Sequence, residues 1–148
     1  DINKNNINLL NNKKITVIEP ENIYDRHYDI ISPCALGGTI NHNSLKDIKC
    51  NIIAGAANNQ LENDNEIPDI FINKNILYIP DFLINAGGII SVYHEQIGDI
   101  DSKKVMDMSE SIYDKVTSVL KYSDDNNLST NASAIQLAKN RILENSKK

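Results

Sequence analysis

Between Cys50 and Leu61 the chain reads Cys-Asn-Ile-Ile-Ala-Gly-Ala-Ala-Asn-Asn-Gln-Leu. An apolar run, Ile52-Ile53-Ala54, stops at Gly55 and passes through two alanines into the adjacent amides of Asn58 and Asn59. A buried parallel strand delivers polar groups to its carboxyl end in this manner. In open α/β sheets the loops at those ends diverge and leave the crevice where ligands bind. Two other stretches repeat the arrangement. One is Asp29-Ile30-Ile31-Ser32-Pro33-Cys34-Ala35-Leu36-Gly37-Gly38; the other is Ile76-Leu77-Tyr78-Ile79-Pro80-Asp81, running on to Asn85-Ala86-Gly87-Gly88. Three strand exits bearing small residues and amides are therefore expected to converge on one site.

Length allows a single domain: 148 residues, 41% of them hydrophobic, suffice for a core, which at 5% aromatic content and no Trp must be mostly aliphatic. The 22 Asn and 24 Ile are an excess that reads as genomic bias, so only asparagines at strand ends carry functional weight. A formal net charge of -5 with dispersed basic residues lacks the electrostatic footprint of nucleic-acid binding. No apolar run approaches the ~20 residues of a membrane span and no signal peptide opens the chain, so no membrane partner and a cytoplasmic location are expected. Cys34 and Cys50 sit beside predicted strands without a CxxC, and neither a disulfide nor a metal site is expected.

Taken in order, a first helix is expected over about 4–12, burying Ile7, Leu9 and Leu10. The β-branched Ile15-Thr16-Val17-Ile18 predicts a short buried strand ended by Glu19-Pro20. Parallel strands follow near 29–32, 51–54 and 76–79, the last closed by Pro80, which has no N–H to give a ladder. Helices are expected over 43–49, around Ile70-Phe71-Ile72, and from Asn85 to about Gly98, with Asn85 either an N-cap or a ligand contact. From Ser102 to Tyr122 the residues Val105, Met108, Ile112, Val116, Val119 and Leu120 keep helical spacing, and Asp124-Asp125-Asn126-Asn127 breaks that helix. Thr130 then caps the last one. His27, His42 and His94 stand apart from any Ser or Cys that could act as a nucleophile, and each is expected at a surface or turn.

Pro33-Cys34-Ala35-Leu36-Gly37-Gly38, Ala54-Gly55-Ala56-Ala57-Asn58-Asn59 and Asn85-Ala86-Gly87-Gly88, with Tyr78-Ile79-Pro80-Asp81 just before the last, are each weak signals alone and strong in this order and spacing. On them the chain resembles the carboxyl-terminal part of the glutamate/leucine/phenylalanine/valine family of amino acid dehydrogenases, closest to its leucine and phenylalanine members, from Asp1 to about Leu143. The resemblance implies an α/β fold. Residues 1–100 would form the second half of a Rossmann-like parallel sheet, a partial NAD-binding domain whose first strands and GxGxxG turn lie upstream, and residues 101–148 carboxyl-terminal helices. It implies that NAD passes over Cys34 and Ala35 and meets Ala57, Asn58 and Asn85. Asp1, with Ile2 beside it, would end the second strand and accept hydrogen bonds from the adenosine ribose. The alternative for Asp1 is a helix N-cap, and for Gly37 and Gly38 a tight turn.

The family passes hydride from the substrate Cα to nicotinamide, and water then attacks the imine to give a 2-keto acid and ammonia. A lysine and an aspartate of an amino-terminal substrate domain do the acid–base work, so the resemblance assigns no catalytic residue to this chain and implies that it is inactive alone. Asn58 would hold the nicotinamide carboxamide or the substrate amino group without adding a charge that opposes hydride transfer; Asn59 reads as a turn amide. Ile89 and Val92, three apart on one helical face, would line a pocket for a branched-chain or aromatic L-amino acid. The parent enzyme is expected to be a homo-oligomer. A different reading is a standalone interaction or regulatory module on a degenerate dehydrogenase scaffold; a strand and GxGxxG within ~30 residues before Asp1 would decide against it.

Overall fold

The computed structural model describes residues 3–9, 14–24, 26–99 and 101–146. Along them run α1 (Lys4–Asn8), β1 (Tyr28–Ile31), α2 (Ser44–Asp47), β2 (Cys50–Ile53), α3 (Ile67–Asn73), β3 (Leu77–Tyr78), α4 (Asp81–Ile84), α5 (Gly87–Gln96), α6 (Ser102–Glu110), α7 (Ile112–Asn126) and α8 (Thr130–Asn145). The strands are parallel in the order β1-β2-β3, joined by crossovers through α2 and α3. Ile31 stands opposite Ile53 and Ile53 opposite Tyr78, a row that enters the core with Ile40, Leu45, Ile48, Leu61, Ile67 and Phe71. Side chains alternate across a strand, so the neighbouring row Ile30–Ile52–Leu77 lies on the opposite face. There Ile30 is 57% and Leu77 37% exposed.

Several sequence expectations are corrected. Ile15–Ile18 forms no strand: Ile15 and Val17 are exposed, and no backbone hydrogen bond among the described residues joins this stretch to β1. β-branched residues favour a strand where a ladder neighbour and a packing face are available; among the described residues no strand bonds to this stretch, and within it only Ile18 is half-buried. β3 is two residues long because Asn75 before it adopts a left-handed turn (φ 55°) and the N–H of Ile76 is spent on Phe71 O at 2.9 Å. The expected single helix over 102–122 breaks at Ser111, whose hydroxyl donates to Met108 O at 2.6 Å and competes with the helical ladder. α7 then runs through the acidic stretch to Asn127, which is left-handed like Asn59 and Asn75.

The carboxyl-terminal helices pack back onto the sheet layer. Ser129, not Thr130, caps α8: its hydroxyl accepts from Ala132 N at 3.3 Å, which frees the Thr130 hydroxyl to donate to Tyr78 O at 2.5 Å. Asn131 Nδ2 adds a bond to Asp64 O. His94 is buried rather than superficial. Its ring nitrogens lie 3.2 Å from Asp99 O and 3.0 Å from Met108 Sδ, so it fastens α5 to α6 with its polar atoms partnered, as burial of a polar group requires. Among the described residues no helix is long and apolar enough to cross a membrane.

Candidate functional site

The loops leaving β1 and β2 are fastened to each other along their whole length. Ala54 N donates to Ile31 O (3.0 Å), Ala57 N to Pro33 O (2.9 Å), Gly38 N to Asn59 O (2.8 Å) and Ile40 N to Gln60 O (3.1 Å). Such contact between two main chains needs residues without a Cβ. A Cβ on Gly55 would lie 2.2 Å from Pro33 O, and one on Gly37 2.8 Å from Asn58 O. Gly37 and Gly55 are thus fixed by close approach, whereas Gly38, with φ 70° and nothing near its Cβ position, is fixed by the turn. Ile79 N, donating to Ile53 O at 2.9 Å, carries the third exit alongside.

At the end of that third exit Asn85 swings toward the second. Its Nδ2 donates to Asn58 Oδ1 at 2.6 Å and lies 3.4 Å from Ala56 O. Asn85 is therefore not the N-cap of α5. The cap position is Ala86, already helical (φ -65°, ψ -7°), and α4 feeds through Asn85 into α5 without the extended residue that a side-chain cap requires. The bond leaves Asn58 Nδ2 and Asn85 Oδ1, a donor and an acceptor, without a partner among the described residues. Asn59, with φ 52°, serves the turn through its backbone.

The other expected site residues fall into four groups. Cys34 and Ala35 are exposed on the β1 exit. The Cys34 thiol lies 3.4 Å from Ser32 Oγ, and that hydrogen bond, then one from the Ala56 backbone, holds its pKa below the ordinary thiol value. Ala57 is buried, with its N–H given to Pro33 and its carbonyl accepting from Gln60 Nε2 at 3.0 Å, so it serves the loop from within. Ile89 and Val92 are 68% and 54% exposed on α5, outside the hydrogen-bonded cluster. Asp1 and Ile2 lie outside the described residues.

Two site-supporting residues escaped the sequence reading. Gln60 and Asp81 are buried beneath the amide pair, Gln60 completely, and Asp81 Oδ2 accepts from Gln60 N at 3.0 Å. Burial, and then the Asp81 carboxylate, pushes the phenol of neighbouring Tyr78 well above its ordinary pKa. The only prior signal was position, directly after Asn58-Asn59 and directly after Pro80. A separate open hollow of about 340 Å³, lined by Asp64, Asp69, Ser129 and Asn131 among others, shares no residue with the exits. Its acidic lining disfavours an anionic ligand. Among the described residues no group of His, Cys, Asp and Glu is arranged to hold a metal ion.

Comparison with known proteins gives consistent findings. A family profile described as Glutamate/Leucine/Phenylalanine/Valine dehydrogenase matches residues 2–148. An L-tryptophan dehydrogenase of Nostoc punctiforme is 45% identical over 133 residues, which are 90% of this chain and 37% of that protein. A leucine dehydrogenase of Bacillus cereus is 40% identical over 134 residues, 89% and 36% respectively. The crystal structure of L-tryptophan dehydrogenase from Nostoc punctiforme superposes with a TM-score of 0.86 at 41% identity, covering 91% of this chain and 41% of that one. The chain thus spans well under half the length of these relatives.

Proposed function

Since the chain belongs to the glutamate/leucine/phenylalanine/valine dehydrogenase family, we propose that it contributes the nicotinamide-facing half of the cofactor domain, residues 1–100, and the helices of residues 101–148 to an NAD-dependent amino acid dehydrogenase. The reaction is oxidative deamination of an apolar L-amino acid to its 2-keto acid and ammonia. The observation that carries this reading is the amide pair, Asn85 Nδ2 to Asn58 Oδ1 at 2.6 Å, at the convergence of the parallel strand exits.

The residues present fit the nicotinamide group. A carboxamide offers one acceptor and one donor, the complement of the uncommitted Asn58 Nδ2 and Asn85 Oδ1. The exposed exit at Cys34 and Ala35 has no large side chain except Leu36, which leaves backbone against which a flat ring can lie. NAD bound here would take the hydride released from the substrate Cα. The chain's own part is orientation: Asn58 and Asn85 are neutral, so they fix a polar group without a charge that would oppose hydride departure. The acid–base steps are assigned to enzyme parts other than these residues, and the 148-residue chain alone is expected to show no turnover.

Cofactor and substrate preferences follow from single residues. Asp1, with Ile2 beside it, would accept from ribose hydroxyls and repel a 2′-phosphate, which favours NAD over NADP. Ile89 and Val92 give α5 an exposed apolar face that cannot neutralise a carboxylate. Burying an unpaired carboxylate against it would cost several kcal/mol. Branched-chain and aromatic amino acids are therefore the proposed substrates, in a cytoplasmic homo-oligomer. Steady-state kinetics of the full-length natural protein with leucine, valine, phenylalanine, tryptophan and glutamate, each with NAD and NADP, test this. The apolar amino acids should exceed glutamate in kcat/KM by about 100-fold or more. Preference for glutamate refutes the pocket, equal use of NADP refutes the role of Asp1, and turnover by the chain alone refutes the division of labour.

A further inference from the structure

The amide pair is tied from beneath by two side chains that do not reach the crevice. Gln60, 0% exposed, donates through Nε2 to Gly55 O at 2.7 Å and Ala57 O at 3.0 Å, closing the loop before it onto itself. Its backbone N–H donates to Asp81 Oδ2 at 3.0 Å, while Asp81 Oδ1 accepts from Phe82 N at 2.7 Å. Asp81 is in turn fixed to the sheet, its N–H donating to Tyr78 Oη at 3.3 Å, and to the site, its carbonyl accepting from Asn85 N at 3.0 Å. One carboxylate thus joins the loop that carries Asn58 to the helical turn that carries Asn85.

We propose that Gln60 and Asp81 are positioning residues for the Asn58–Asn85 pair, acting on hydride transfer only through those two amides. The proposal rests on the dehydrogenase reading of the pair. A carboxylate is the acceptor suited to this task, because its two oxygens can each take an N–H and charge-assisted bonds are stronger than neutral ones. Orientation is also where small errors are costly: a displacement of about 1 Å at a reacting centre can lower a rate by about 100-fold.

A double-mutant cycle in the full-length natural protein, with hydrogen exchange as a second readout, tests the idea. Asp81→Asn keeps the shape and removes one of the two acceptors. Asp81→Asn and Asn58→Ala should each lower kcat about tenfold, with a smaller change in the KM for NAD, and the double variant should be no slower than the slower single one. Additive losses, about 100-fold in the double variant, would mean that Asp81 supports the enzyme by another route and would overturn the proposal. In Asp81→Asn, amide exchange should accelerate about tenfold or more at residues 55–60 and 81–85, with the melting temperature within a few degrees of wild type. If Asn58→Ala leaves kcat unchanged, the dehydrogenase reading of the pair has failed, and exchange alone then decides. Acceleration confined to those two segments sustains the positioning of the pair by Asp81, and unchanged exchange overturns it. Should Asp81→Asn not fold, Gln60→Glu, which replaces both side-chain donors with a carboxylate and leaves Asp81 in place, takes its position in the cycle with the same outcomes.

Discussion

Cys34 and Cys50 show how far neighbours separate two identical side chains. The Ser32 hydroxyl and the Ala56 backbone stabilise the Cys34 thiolate and lower its pKa, whereas burial in the core raises that of Cys50. A lowered pKa brings the reactive thiolate in at lower pH. Iodoacetamide should therefore label Cys34 with a midpoint below that of a free thiol and long before Cys50. Ser32→Ala should move that midpoint upward, and no movement would discard the hydroxyl as its cause. Asn85→Ala should cost the fold about 1 kcal/mol by chemical denaturation, because the bonds lost are one at the surface to Asn58 and two long ones to Ala56 O and Ala57 O, yet lower kcat about tenfold or more. Equal effects on folding and rate would mark Asn85 as scaffold. The two amides were legible in the sequence because they stand at strand ends. Gln60 and Asp81 were not, since nothing in a chain with 20 acidic residues marks which carboxylate is buried.

Among the elements, the fastening of the β1 and β2 exits is the feature most exposed to a single methyl group. In Gly55→Ala the new Cβ would meet Pro33 O at 2.2 Å and Pro33 N at 2.5 Å, main-chain atoms held by the bond from Ala57 N. Overpacking of this kind should destabilise by about 1–3 kcal/mol in a urea titration. Gly88→Ala, where a Cβ in α5 meets nothing within 4 Å, should be neutral or stabilising by up to about 1 kcal/mol. β1, β2 and most helices were readable from apolar runs and period. α4 was not, because Asp81-Phe82-Leu83-Ile84 is a single turn with no period to detect. The break at Ser111 was hidden because the apolar spacing continues through it. The missing strand at 15–18 shows that β-branched residues make a paired strand only where a neighbour is at hand.

Taken whole, the molecule presents apolar surface on one face of its sheet. Ile30 and Leu77 stand on one open face, and β1 carries no ladder partner on its outer edge among the described residues. The 148-residue chain produced alone should self-associate with rising concentration, because such edges and faces pair with other copies. A monodisperse monomer with a sharp melt in light scattering and calorimetry would contradict this. The backbone also sorts the chain's unusual composition. Asn59, Asn75 and Asn127 occupy left-handed turns that asparagine tolerates better than most residues, whereas Gly37 and Gly55 sit where any side chain would strike main chain. In mutational terms these two demands diverge. Drift toward A and T can exchange a glycine codon for an asparagine codon at a left-handed turn with little loss, but is blocked where a Cβ has no room. Gly37 and Gly55, which such drift cannot erase, sit where the main chains of the two exits meet.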